Sequence, residues 1–262
     1  MSQAYAELHR PQFHFTAKKN WLNDPNGLVY CDGIWHLFFQ HNPNAPIWGD
    51  MTWGHAVSRD LLHWEQLEHA LHPDAMGAMF SGSAVVDHAD TAGFGAGTLL
   101  AFYTAAGSAV KPARPFTQCL AYSRDKGEHW TKFIENPVVD WIAGDNRDPK
   151  VIWHSVSQQW IMALYLADDR YALLVSENAR EWQKTQELAL PGDTECPDIF
   201  SLFDESGAER WIFWSASGRY LLGSFDGKKF APETEMQVCE RGFNGYAAQT
   251  WSNAPAGRCV QI

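Results

Sequence analysis

The sequence predicts an all-β chain built as a β-propeller, and three observations carry this. Short apolar and aromatic runs alternate with Gly, Asp and Asn turns along the chain, as antiparallel strands require. Long amphipathic helical periodicity is absent. A unit also recurs: Ser58-Arg59-Asp60 before Trp64, Ser123-Arg124-Asp125 before Trp130, Ser176-Glu177-Asn178 before Trp182, and Asp226-Gly227 before Phe230. Its Trp residues stand 66 and 52 residues apart. Units of roughly 40–50 residues, each a small sheet, mark propellers, with insertions lengthening some blades.

The elements follow in order. Leu28-Val29-Tyr30 and Trp35–Gln40 flank Cys31-Asp32-Gly33-Ile34, where Asp-Gly predicts a hairpin. Leu99–Tyr103, Leu120–Ser123, Val151–His154, Trp160–Leu166, Ala172–Ser176, Trp211–Trp214 and Tyr220–Phe225 continue the strands. Gly93–Gly97 and Ala105–Pro115 read as loops between strands. No low-complexity tail and no second-domain boundary is visible.

The 13 Trp, 15 Phe and 8 Tyr suit β architecture, and most of the Trp are expected in the core. A net charge of -11 repels a polyanionic duplex, so nucleic acid is not an expected partner. The five Cys are odd in number and form no CxxC pair. Neither a disulfide framework nor a zinc site is indicated, and no cofactor or metal is called for. Cys196 is expected to pack, and His69-x-x-His72 reads as a loop pair. No stretch is long and apolar enough to span a membrane. The polar Met1–Glu7 stretch is no signal peptide, which predicts a cytoplasmic protein if Met1 is the natural start.

Three acidic motifs stand out. Trp21-Leu22-Asn23-Asp24-Pro25-Asn26-Gly27 sets Asp24 in a Pro-Asn-Gly turn beside an indole. Arg147-Asp148-Pro149-Lys150 and Glu195-Cys196-Pro197-Asp198 each join an acid to a residue that stiffens the backbone. Together they read as a nucleophile, a charge stabiliser and a proton donor on three separate loops. Glycosidases commonly place two carboxylates about the scissile bond. Taken singly, Arg147-Asp148 fits a surface ion pair and Asp24 a turn former.

With Phe38–Pro43, Trp48–His55, Phe80–Ser83 and Tyr246–Thr250, these motifs resemble glycoside hydrolase family 32. That family holds invertases, levanases and inulinases. The resemblance runs in order from about His9 to the C-terminus. It implies a five-bladed propeller, with residues 1–262 as the N-terminal catalytic domain. It implies a retaining hydrolase that releases terminal β-D-fructofuranosyl units from sucrose or fructans. Asp24 would be the nucleophile, Glu195 the acid/base, and Asp148 the residue that binds fructosyl hydroxyls and stabilises the transition state. Asp24 and Asp148 would raise the pKa of Glu195, while Arg147 would keep Asp148 ionised. Asn23, Gln40, Trp48, Phe80, Ser81 and Arg147 match residues that line the fructosyl pocket. Trp53 and Trp251 are further walls or core residues.

One departure is visible. The family often carries an acidic residue before Tyr-Ala-Ala-Gln, where this chain reads Arg241-Gly242-Phe243-Asn244-Gly245-Tyr246. This affects the pocket rim or the aglycone preference. The family's propeller is followed by a β-sandwich. Tyr246–Trp251 and Arg258–Ile262 would be the first strands of a fifth blade that stays incomplete, with no sandwich after it. A truncated form is therefore expected, its open edge covered by an oligomer partner. Two other readings stand beside this one. Ser123-x-Asp125-x-Gly127-x-x-Trp130 fits the Asp-box of sialidases, which need an arginine cluster and a Tyr nucleophile. A non-catalytic sugar-binding propeller would hold fructosides without cleaving them.

Overall fold

The computed structural model describes residues 5–11, 14–242 and 245–262. Residues 1–4 of the polar N-terminal stretch, and Phe243 and Asn244 of the run before Tyr246, lie outside them. Four antiparallel meanders make the fold. Blade 1 holds β1 (Trp21–Cys31), β2 (Ile34–Asn42), β3 (Thr52–Ser58) and β4 (Trp64–Gln66). Blade 2 holds β5 (Ala78–Asp87), β6 (Thr98–Ala106), β7 (Thr117–Ser123) and β8 (Thr131–Lys132). Blade 3 holds β9 (Arg147–His154), β10 (Gln159–Ala167), β11 (Arg170–Ser176) and β12 (Gln183–Ala189). Blade 4 holds β13 (Asp198–Phe203), β14 (Glu209–Trp214), β15 (Arg219–Phe225) and β16 (Phe230–Pro232), with β17 (Gln237–Val238) also paired to β15.

The first strands of successive blades pack on one another, β1 on β5, β5 on β9 and β9 on β13, as in a propeller. Apolar layers fill the spaces between neighbouring blades. Phe38, Trp53 and Tyr103 lie between blades 1 and 2, Phe102 and Trp160 between 2 and 3, and Tyr171 and Phe213 between 3 and 4.

The sequence explains the turns. Asp32 and Gly33 take φ of 48° and 86° in the predicted two-residue hairpin. Such turns need positive φ at both positions, which Asp and Gly accept. The recurring Ser/Asp/Trp unit is the turn between the third and fourth strands of a blade. Asp60 accepts the backbone N–H of Leu62 and His63 at 2.9 and 2.8 Å, and the Trp64 indole donates to the Leu61 carbonyl. Asn178 and Trp182 repeat this arrangement in blade 3, and Asp125 with Trp130 uses a one-residue longer loop in blade 2.

Among the described residues four blades are present where the resemblance implies five. Tyr246–Trp251 and Arg258–Ile262 are not strands. Gln249 and Ile262 exchange backbone bonds of 2.9 and 3.1 Å, and Trp251 donates to the Val260 carbonyl. The chain between them turns through Pro255–Gly257 and Ala256 at φ 59°. That leaves a pairing too short to be a strand, besides one parallel bridge from Ser252 to Val29. The segment is anchored in the interior. The Lys150 ammonium, 1% exposed, lies 3.2 Å from the Asp198 carboxylate, which is 0% exposed. Lys150 also donates to the carbonyl and hydroxyl of Thr250, whose own N–H and hydroxyl bond Asp198. Buried charges persist only when paired and bonded in this way. Among the described residues no helix is long and apolar enough to cross a membrane.

Candidate active site

Bulges at one end of the inner strands build the site. On β1, Asn23 and Asp24 together oppose the single residue Gln40 of β2, between the pairs Leu22–His41 and Pro25–Phe39. On β5, Ser81 is the extra residue between Phe80–Thr104 and Gly82–Tyr103. On β9, Asp148 and Pro149 together oppose the single residue Leu164 of β10, between the pairs Arg147–Tyr165 and Lys150–Ala163. A bulge breaks the ladder and re-aims a side chain. Here it turns Asp24, Ser81 and Asp148 toward one end of the propeller. The expectation of three loops is corrected accordingly: Asp24 and Asp148 stand on bulged strands, and Glu195 alone is on a loop, just before β13.

Glycine permits two of these features. Gly27 has φ 54°, and a Cβ there would meet Phe38 at 2.6 Å and Trp53 at 2.9 Å. A Cβ on Gly82 would fall 1.9 Å from the Phe102 carbonyl oxygen. Asp148, Glu195 and Cys196 hold positive φ of 63°, 59° and 40° without being glycine. Left-handed backbone costs of order 1–3 kcal/mol per such residue and gathers at functional sites.

All nine sequence-predicted residues line one open cavity of about 460 Å³. They are Asn23, Asp24, Gln40, Trp48, Phe80, Ser81, Arg147, Asp148 and Glu195. Trp48, Phe80 and Phe116 form an edge-to-face aromatic wall, with ring centroids 5.9 and 5.5 Å apart. Trp53 and Trp251 are core residues, buried to 0% and 6% exposure. The Trp53 indole supports the wall from behind by donating to the Phe80 carbonyl.

Each acid is held differently. The Ser81 hydroxyl donates to Asp24 Oδ2 at 2.8 Å. Asn26, fully buried, braces this pair: with its amide turned to satisfy its neighbours, it donates to Ser81 Oγ and accepts from Gln40. Both oxygens of Glu195 are bonded, Oε1 by Arg147 at 2.5 Å and Oε2 by the Tyr246 hydroxyl at 2.7 Å. Burial and this bond push the Tyr246 phenol up, so it stays a donor. Arg147 also lies 4.6 Å over the Tyr165 ring and donates to the Asp145 carbonyl.

Asp148 is buried, and its Oδ2 accepts the Cys196 N–H at 3.1 Å. Its own N–H donates to Thr104, which bonds Gln118 in a buried chain. The expectation that Arg147 keeps Asp148 ionised is corrected. Arg147 contacts Glu195 at 2.5 Å but Asp148 only at 3.8 Å. Burial pushes Asp148 up to about 7, with Asp24 and Glu195 adding and Arg147 opposing. Burial and the same carboxylates push the Cys196 thiol well up, so it is no thiolate nucleophile.

Sequence reasoning missed Ser108, Phe116, Asp145 and Tyr246 on the wall, and Asn26 behind it. Tyr246 and Asn26 lie inside motifs already singled out; the others carry no sequence signal. One arginine, Arg147, lines the cavity among the described residues, which does not make the cluster a sialidase needs.

Comparison with known proteins places this geometry. The chain is 40% identical to the levanase of Bacillus subtilis over 97% of its length, covering 40% of that protein. It is 36% identical to an extracellular exo-inulinase of Aspergillus awamori, over 88% of this chain and 51% of that one. The β-fructofuranosidase of Schwanniomyces occidentalis, solved with fructosyl-erythritol, superposes with a TM-score of 0.86 at 35% identity. That match covers 95% of this chain and 52% of the other. The chain thus spans about half the length of its relatives, or less. Residues 14–262 match the model of the glycosyl hydrolases family 32 N-terminal domain, and with a propeller that gathers the nine sequence-predicted site residues into one cavity, the chain belongs to family 32.

Proposed function

We propose that this cavity hydrolyses terminal β-D-fructofuranosyl units of sucrose or fructans with retention. The observation that carries the reading is the convergence of Asp24, Asp148 and Glu195 from three blades on one cavity with an aromatic wall. Asp24, fixed through Oδ2 by Ser81, attacks the anomeric carbon through its other oxygen. The bond to the leaving oxygen breaks as Glu195 gives that oxygen a proton. Water then attacks the same carbon, returns a proton to Glu195 and frees Asp24. Two displacements preserve the configuration. Asp148, ionised, faces the positive charge that develops on the sugar. Amides and hydroxyls of Asn23, Gln40 and Ser81 bind sugar hydroxyls against Trp48 and Phe80. Residues 246–262 serve as the start of a fifth blade, within a catalytic domain of residues 1–262.

Hydrolysis of sucrose, raffinose, inulin, levan and a sucrose phosphate tests the reading. The chain is expected to release fructose from at least one of them, and Asp24→Ala to lose about 10⁴-fold in rate. Tight binding of a fructoside by the folded chain with no turnover overturns this reading in favour of the non-catalytic one.

A further inference from the structure

A second cluster of chemistry-bearing side chains lies apart from the cavity. His41 on β2 follows Gln40, and alternate residues of a strand face opposite sides, so its ring turns away from the cavity wall. His69 and His72 belong to the segment after β4, which runs beside β3 through the backbone bonds Ala70 to Trp53 and Trp53 to Leu71. The sequence shows only the His69-x-x-His72 pair; the fold adds His41 from 28 residues away. None of the three lines the carboxylate cavity.

Hydrogen bonding fixes the tautomer of His41. Its Nε2 lies 3.1 Å from the Lys19 carbonyl, which can only accept, so Nε2 carries the proton. Nδ1 is therefore a bare lone pair, and it points at His69 Nε2, 2.7 Å away. An imidazole that donates one N–H to a backbone carbonyl and offers the other nitrogen is the usual arrangement of a metal-ligating histidine. The His69 ring lies 4.9 Å from His41 and 5.6 Å from His72 between centroids. His41 is buried, His69 half-buried and His72 exposed, so the rings run from a fixed anchor to an open mouth.

We propose that His41, His69 and His72 bind one divalent transition-metal ion of the class imidazole prefers, such as Zn²⁺ or Ni²⁺. Zinc–nitrogen bonds of about 2.0–2.1 Å in a tetrahedral site put ligand atoms about 3.3 Å apart. His69 must therefore withdraw by roughly half an ångström and move its proton from Nε2 to Nδ1, with no net proton lost. The exposed His72 side chain turns to supply the third nitrogen, and water completes the shell. As placed, the three histidines do not bring one nitrogen each within 4.8 Å of one another, so this turn of His72 is required; Asp125, Glu128 and His129, all exposed, do meet that spacing and are the rival site.

Calorimetric titration with ZnCl₂ and NiCl₂, and MgCl₂ as control, separates the two. One ion per chain is expected for zinc and nickel and none for magnesium. His69→Ala and His72→Ala should each weaken binding at least about tenfold, and His129→Ala should leave it unchanged. His72 is exposed, so its variant should melt like the parent without metal. A His72→Ala protein that is folded and binds as tightly as the parent overturns the proposal. So does loss of binding in His129→Ala alone, or no zinc binding by the intact chain.

Discussion

Asp148 carries a charge that its surroundings resist. Burial raises it to about 7, so it is neutral below that pH and ionised above it. If the ionised form faces the developing cation, kcat/KM rises with pH through about 7. Asp148→Asn should remove that limb and lower kcat and kcat/KM together, by about 10²-fold or more. A pH series of initial rates on sucrose checks this, and a raised KM at unchanged kcat contradicts it. Glu195 is a partly exposed carboxyl clamped at both oxygens by Arg147 and Tyr246. The motif residues were legible because an acid next to Pro, Asn or Cys-Pro is locally distinctive. Which cation serves which acid was not, because Arg147 is adjacent to Asp148 in sequence yet reaches 48 residues along the chain to Glu195.

At the level of the element, strands were legible from apolar runs between turn residues. The β2 and β10 runs fell inside the observed spans because both faces of these strands are buried. The first turn motif misled. Pro25, Asn26 and Gly27 carry turn chemistry, yet they lie within β1. Bulges let a strand accommodate them, and a bulge is a property of two strands in register. No single stretch of sequence shows that Asn23 and Asp24 oppose only Gln40. For the same reason Ser81 and Asp148 were legible as residues and not as insertions. The Ser/Asp/Trp unit was legible because each copy closes its turn with local backbone N–H bonds accepted by the Asp carboxylate or Asn amide oxygen. The fifth-blade strands expected at Tyr246–Trp251 and Arg258–Ile262 are not formed, because Gln249–Ile262 is a pairing of few bonds around a tight turn.

Across the whole molecule, acid acts in two opposing directions. His36 and His55 are buried side by side, their nitrogens 3.0 Å apart. Burial pushes His36 down to about 4, and His55 well below its ordinary value. Between about pH 4 and 6.5 the unfolded chain binds protons that these rings refuse, so stability falls as pH falls. His36 alone contributes about 3 kcal/mol to that loss. Asp148 works the other way. From about 7 down toward 4 the folded chain binds the proton more tightly, so stability rises as pH falls. Melting curves from pH 7.5 to 4.5 should therefore fall less steeply for His36→Phe than for the parent, and more steeply for Asp148→Asn. Identical slopes in all three contradict these assignments. The central claim also lives at this scale, since blades 1 and 4 must deliver an attacking carboxylate and a proton donor to one sugar. Glu195→Ala with a fructoside bearing an activated leaving group tests it most directly. The first step then needs no proton and the second lacks its base. Intact-mass and peptide analysis should find one fructosyl unit bound covalently, on the peptide containing Asp24. An adduct on another residue, or leaving-group release with no adduct, contradicts the account.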